Sequence, residues 1–325
     1  MREKPMTATR VLLLTLALAF AAPVTAQTWP SKPVTIVVGY PAGGGSDVVA
    51  RFLAENLRER TGQPFLVENR PGPFGNLGAQ YVARAKPDGY TLLYTPNSTH
   101  AANIHLFKKL GFDPVKDFTP VTTVLKAGFV LLVNPGAVPV NSVADLTEYI
   151  KARPGELAYG VNAATGRIAT ELYLSLAGLK ATYVPYKGAG QALTDLLGGR
   201  IHFFFVDAMF GMPQVRGGKV RALAITNGRR SSYAPDIPTM AEGGLTSYDL
   251  DTWFALFMPA NVPMDIAQKL AEMSNAIVTT EKGREFLSKL GADPYPGSPE
   301  SLGKLVESDT AKWGRIIKGA GIEPE

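Results

Sequence analysis

Ile36-Val37-Val38-Gly39-Tyr40-Pro41-Ala42-Gly43-Gly44-Gly45-Ser46-Asp47 constrains this chain more than any other stretch. An apolar β-type run ends in a glycine loop, and the loop opens directly into an amphipathic helix. Val48, Val49, Phe52, Leu53 and Leu57 follow at helical spacing. Gly62 stands where a C-cap falls, and Ser46 or Asp47 is placed to cap the start. Such a loop turns backbone N–H groups toward a guest, and the helix dipole favours an anionic one. A purely structural strand–turn–helix corner is the plainer alternative, although three adjacent glycines cost more chain entropy than a simple turn requires.

The first 26 residues read as a secretory signal peptide. Arg2, Lys4 and Arg10 are basic, the stretch 11–22 is apolar and too short to span a membrane comfortably, and Val24-Thr25-Ala26 supplies small residues for cleavage before Gln27. An uncleaved membrane anchor is the alternative. The chain has no cysteine, so it forms no disulfide and carries no lipid-modified cysteine. A soluble periplasmic protein is expected. Thiolate metal sites are excluded, and three histidines (His100, His105, His202) leave little for His-rich ones. No cofactor is expected. The formal charge of the whole chain is +5, and residues 1–26 hold three bases and one acid, which leaves +3 for the rest. No run of Lys and Arg interleaved with aromatics is present, which argues against nucleic acid as a partner.

From Pro33 onward, strand-like and helix-like segments alternate. Strands are expected over 34–39, 65–68 and 90–94, with helices over 47–60 and 75–85 and a further helix after Thr99. This rhythm implies a mostly parallel sheet covered by helices. Residues 118–133 form a long β-favouring stretch interrupted by Lys126-Ala127-Gly128, suited to leaving one sheet and entering another. Helices then fall over 146–151, 168–176 and 189–197. Strands fall over 157–161, 182–185, 201–206 and 221–225, and 220–227 is the return crossing. The remainder holds a strand over 252–258 and helices over 264–279, 281–290 and 298–320. The simplest layout is α/β: a discontinuous first domain (27–125 and 227–325) with a second (126–226) inserted. Ligands in such sheets bind outside the carboxyl ends of strands, here in a cleft between the two domains.

Further motifs run in order along the chain: Trp29-Pro30, Val67-Glu68-Asn69-Arg70-Pro71-Gly72, Pro87-Asp88-Gly89-Tyr90-Thr91-Leu92-Leu93, Val184-Pro185-Tyr186-Lys187-Gly188, Ala192-Leu193-Thr194-Asp195-Leu196-Leu197-Gly198-Gly199, Gly218-Lys219-Val220-Arg221-Ala222-Leu223-Ala224 and Pro235-Asp236-Ile237-Pro238-Thr239. With the glycine loop, they make the chain resemble the Bug-type solute-binding receptors of tripartite tricarboxylate transporters. The resemblance implies a two-domain Venus-flytrap fold of the type II periplasmic kind. It implies capture of a small mono- or dicarboxylate, aliphatic or aromatic, and delivery to membrane permease subunits. A monomer without catalytic activity is expected.

The resemblance also implies that Pro41 to Asp47, including Ala42, Gly43, Gly44, Ser46 and Asp47, grips one carboxylate through main-chain N–H groups. Asn162-Ala163-Ala164-Thr165-Gly166 should oppose it. That second loop is about two residues shorter than the family pattern and ends in Arg167. Phe74 stands where a small residue is typical, and Asp207-Ala208 replaces a frequent Asp-Asn.

Taken singly, these residues keep two readings. Ser46 and Asp47 contact ligand or cap their helix. Thr165 caps a helix or donates to a ligand oxygen. Arg167 either binds a second carboxylate bidentately or is a solvated surface arginine. Asn97, Ser98, Thr99 and His100 lie just past a strand and are candidates for lining the cleft. Asp207 follows the buried run His202-Phe203-Phe204-Phe205 and either faces the cleft or caps a helix. Tyr40, Phe74 and Phe210 form an aromatic wall or simply pack in the core.

A secreted hydrolase is the competing class. Gly44-Gly45-Ser46-Asp47-Val48 lacks the closing glycine of a nucleophile elbow, and no H-E-x-x-H or phosphate-loop motif occurs. A signalling receptor whose closed form docks a sensor protein would use the same pocket as a transport receptor.

Overall fold

Strand β1 (Val34–Val38) reads Val-Thr-Ile-Val-Val and is buried along nearly its whole length, as a strand covered on both faces requires. Helix α1 (Gly45–Thr61) follows it and stops at Gly62, whose left-handed φ of 70° gives the C-cap that the sequence places there. The chain continues through β2 (Phe65–Asn69), α2 (Asn76–Ala83), β3 (Thr91–Pro96) and β4 (Phe118–Val133). Next come α3 (Val143–Lys151), β5 (Ala158–Val161), α4 (Ala164–Ala177), β6 (Thr182–Pro185), α5 (Ala189–Leu197), β7 (Phe203–Asp207), α6 (Ala208–Arg216) and β8 (Arg221–Ile225). The last elements are β9 (Asp251–Pro259), α7 (Met264–Val278), α8 (Glu281–Leu290), β10 (Ala292–Pro294) and α9 (Pro299–Gly319). This computed structural model describes residues 29–231, 234–248, 250–319 and 322–324. The expected signal peptide lies outside the described residues. From Lys32 onward the described residues form one compact unit.

The strands run in the order β2-β1-β3-β9-β4-β7-β5-β6, with β8 and β10 also paired to β4. β1 is parallel to β2 and β3, and β5 is parallel to β6 and β7. β9 runs antiparallel to β3 and β4, and β4 runs antiparallel to β7. The β-favouring stretch with a glycine in its middle is therefore one sixteen-residue strand that changes partners. It pairs with β9 from Phe118 to Gly128, then with β7 from Phe129 and with β8 from Val130. A side chain at Gly128 would collide with Asn227. Beside it, Thr226 Oγ1 accepts the Phe129 amide at 2.8 Å and donates to the Leu250 carbonyl at 2.7 Å.

The run Phe203-Phe204-Phe205-Val206 serves two cores in alternation. Phe203 and Phe205 join Tyr159 and Tyr173 on one face, and Phe204 and Val206 join Val130 and Leu196 on the other. A third cluster joins Val37, Leu93, Phe257 and Leu302.

The helix expected after Thr99 is instead a π-helical turn at Ser98–Ala102 followed by a 3₁₀ turn at Asn103–His105. Buried side-chain hydrogen bonds tie these turns to their surroundings. Thr95 Oγ1 donates to Thr99 Oγ1 at 2.8 Å, and Asn103 Nδ2 donates to the Phe74 carbonyl at 3.0 Å. Helix α6 has no counterpart among the expected elements, because Gly211 and Pro213 break its pattern. Among the described residues, no helix is long and apolar enough to cross a membrane.

Candidate functional site

The glycine loop places the first turn of α1 at the edge of a cavity of about 320 Å³. Gly43 has a left-handed φ of 81°, which turns the chain before the helix. Gly44 occupies the N-cap in extended backbone, and no side chain caps the helix. The first-turn N–H groups therefore have no partner within the helix. The loop is held from behind by Asp47, whose side chain is 5% exposed. Asp47 accepts the Gly43 amide at 2.9 Å, Asn69 Nδ2 at 2.9 Å and Arg51 Nε at 3.0 Å. Burial works against this carboxylate, but Arg51, the Gly43 amide and Asn69 outweigh it and hold Asp47 below the usual carboxylate range.

A second helix start faces the same cavity. Strand β6 leads through Gly188 into α5, again with no side-chain cap. Gly188, Ala189, Gly190 and Gln191 line the cavity opposite the glycine loop. A Cβ on Gly188 would lie 2.9 Å from Pro41 Cγ, so the close approach of α5 to the loop requires glycine. Two uncapped helix N-termini thus share one cavity, and each contributes partial positive charge.

Of the residues expected at the site, Tyr40, Ala42, Gly43, Gly44, Ser46, Asn162 and Asp207 line this cavity. The Ser46, Asn162 and Gln191 side chains make no hydrogen bond to any described residue, which leaves them open to a guest. Asp47 stands one layer back. Ser98 and Thr99 stand behind Tyr40: its hydroxyl lies 3.3 Å from Ser98 Oγ, and burial pushes its pKa up to about 12.

The other expected residues are elsewhere. Asn97 accepts from Thr252 Oγ1 at 2.9 Å and donates to Asp309 at 3.4 Å. Phe74 has a left-handed φ of 48° and packs its ring edge-on against Phe107, 5.6 Å between centroids. Ala164, Thr165 and Gly166 are the buried first turn of α4. A Cβ on Gly166 would lie 3.1 Å from the Phe205 carbonyl, so this glycine serves helix–strand packing. Arg167 lies over the Tyr183 ring at 4.8 Å.

Pro41, Gly45 and Phe210 complete the lining. The segment 188–191 was not singled out as a jaw. Its signal was present, because β6, Gly188, Gly190 and α5 repeat the strand–glycine–helix order of the first loop. Asp207 ends β7 and caps α6, accepting the Phe210 amide at 3.0 Å. Burial raises its pKa to about 6. Among the described residues, no lysine, arginine or histidine lines the cavity. Among the described residues, no group of three or more His, Cys, Asp or Glu is arranged to hold a metal.

The chain matches, over residues 49–322, the family described as the tripartite tricarboxylate transporter family receptor. It is 33% identical to Protein BugT of Bordetella pertussis over 306 residues, which cover 93% of this chain and 94% of that protein. Among solved structures it resembles R. palustris Rpa4515 with adipate, at 38% identity and a TM-score of 0.89, covering 91% of this chain and 100% of that one. It also resembles MatC (Rpa3494) from Rhodopseudomonas palustris with bound malate, at 31% identity and a TM-score of 0.84, covering 89% of this chain and 100% of that one. An α/β chain with this strand order, and with likeness along nearly its whole length, belongs to the tripartite tricarboxylate transporter receptor (Bug/TctC) family of periplasmic solute-binding proteins.

Proposed function

We propose that this protein is a periplasmic receptor that captures one small carboxylate and hands it, unaltered, to the membrane permease subunits of a tripartite tricarboxylate transporter. The observation that carries this reading is the pair of uncapped helix N-termini, α1 and α5, facing one cavity with Ser46, Asn162 and Gln191 open to it. Backbone amides at helix starts favour anions. Each charge-assisted hydrogen bond contributes about 1.5–3 kcal/mol. Four or five of them, less desolvation and ordering, reach the roughly −8 kcal/mol of micromolar binding. The adipate and malate in the two similar structures support a carboxylate guest.

In this reading, 27–125 with 227–325 forms one lobe and 126–226 the other. The glycine loop belongs to the first and α5 to the second, and the lobes close about the partner switch at Gly128. The first residues serve export and are removed.

Calorimetry of the chain from Gln27 onward, against aliphatic and aromatic mono- and dicarboxylates including adipate and malate, tests the reading. One-to-one binding at micromolar strength, with the ligand recovered unchanged, is expected. Failure of the whole panel to bind removes the receptor reading, and conversion of a bound acid to product replaces it with an enzyme.

A further inference from the structure

Among the described residues, the cavity combines amides suited to an anion with one acidic side chain and no basic one. Asp207 has no cationic partner among the described residues, and its hydrogen-bond donors are backbone amides. The other titratable groups near it are Tyr40 and Tyr94. Burial first of all, and the charge of Asp207 with it, raises the pKa of each hydroxyl and keeps both neutral. The Asp207 carboxylate also sits against the glycine loop: a Cβ on Gly45 would lie 2.7 Å from its Oδ1. A ligand carboxylate seated on the first-turn amides of α1 would therefore meet Asp207 within a few ångströms, with no protein cation between them. Two like charges at that separation are unfavourable, and either a donor bridges them or one takes up a proton.

We propose, resting on the carboxylate-receptor reading, that the ligand carries an O–H or N–H donor on the carbon next to the carboxylate held by α1, and that Asp207 accepts it. Asp207 is then the specificity-determining residue that selects 2-hydroxy or 2-amino carboxylates over their unsubstituted parents. A site built to pair with a ligand hydroxyl or amine rejects the analogue lacking it, because its own acceptor is left facing only the second carboxylate. Burial raises Asp207 to about 6, so lowering the pH from 7.5 to 5.5 moves the group toward its protonated form. Once protonated, it donates to a plain carboxylate directly, and the preference narrows.

Two matched trios test this by calorimetry at pH 7.5 and 5.5: propionate, lactate and alanine, and glutarate, 2-hydroxyglutarate and glutamate. At pH 7.5, a substituted member of a trio is expected to bind at least tenfold more tightly than its parent. A hydroxy member ahead of its amino counterpart identifies a hydroxyl donor, and the reverse order identifies an ammonium. Asp207→Asn retains an oxygen to cap α6 and turns an amide toward the ligand. It should strengthen binding of the parent acid and reduce the ratio below threefold. Parents binding within threefold of both substituted members at pH 7.5 would overturn the inference, as would a ratio that Asp207→Asn leaves unchanged. The wild-type ratios decide the matter even where the variant folds poorly. Tight binding without discrimination removes only this inference, whereas no binding by any carboxylate removes the receptor reading beneath it.

Discussion

Asp47 accepts the backbone amide of Gly43 at 2.9 Å, closing the glycine loop from its buried side. The same carboxylate holds Asn69, which in turn donates to the Tyr40 carbonyl at 3.1 Å. Asp47 thus sets the direction of the loop amides without lining the cavity. Replacing it by Ala strands the Gly43 and Asn69 donors and unpairs Arg51, and hydrogen bonds to a charged group are worth about 1.5–3 kcal/mol. Asp47→Ala is expected to lose about 3 kcal/mol of stability in urea denaturation and at least tenfold in carboxylate affinity. Asp47 is held below its ordinary pKa, so its stabilisation is complete above pH 4 and disappears as pH falls through the lower folded value. Unchanged affinity in a folded Asp47→Ala protein would show that loop geometry is set elsewhere.

Gly45 and Gly43 make a matched pair of tests. A methyl on Gly45 would lie 2.7 Å from Asp207 Oδ1 and 3.0 Å from Met209 Cβ, whereas one on Gly43 meets nothing within 4 Å. Gly45→Ala overpacks the junction of the loop with α6, at about 1–3 kcal/mol, and is expected to cut affinity at least tenfold. Gly43→Ala strains only the left-handed backbone, at about 1 kcal/mol, with a smaller effect on affinity. Thermal melts with calorimetry check both, and equal affinity losses would rule out the steric argument at Gly45.

What local chemistry encodes was legible in the sequence. The glycine loop, the cap at Gly62 and helix α8 between Thr280 and Gly291 each depend on neighbours within a turn or two. The cavity's second wall was harder to read. Gly188 and Gly190 stand at the start of a short helix whose apolar face looks like ordinary packing, and only the approach of Gly188 to Pro41 makes it a jaw. Asn97 illustrates the opposite case. It follows a strand, where cleft residues fall, yet its partners are Thr252 and Asp309, more than 150 positions away. No local pattern announces such a pairing. Phe74 likewise looks like a pocket aromatic until the Phe107 ring packed against it is known.

Arg167 gives a clear discrimination between placements. Its guanidinium lies over Tyr183 and outside the cavity lining. Arg167 is half-buried, and its charge also acts on the Tyr159 hydroxyl. Arg167→Ala is therefore expected to lower stability while changing mono- and dicarboxylate affinities by the same small factor. A loss exceeding tenfold for dicarboxylates alone would place Arg167 on the ligand's far end.

His100 is fully buried in a cage of aromatic rings. It stacks on Phe257 at 3.8 Å and 12°, and Phe118 meets its edge at 4.6 Å. Neither ring nitrogen has a hydrogen-bond partner among the described residues. Burial pushes its pKa from 6.5 down to about 3, so the folded protein keeps the ring neutral while the unfolded chain protonates it below 6.5. The unfolded state then binds the extra proton, and stability is complete above pH 6.5. It falls as pH drops from there toward 3, by about 1.4 kcal/mol per pH unit. His100→Leu removes that proton. It gives up the ring stacking but also two desolvated nitrogens, each costing about 1–3 kcal/mol when unpaired, so stability at pH 7.5 should change little. At pH 4.5 the variant should be more stable than the wild type by about 2–3 kcal/mol. Urea denaturation at the two pH values measures this difference, and parallel acid losses in both proteins would mean that carboxylates, not His100, set the acid limit.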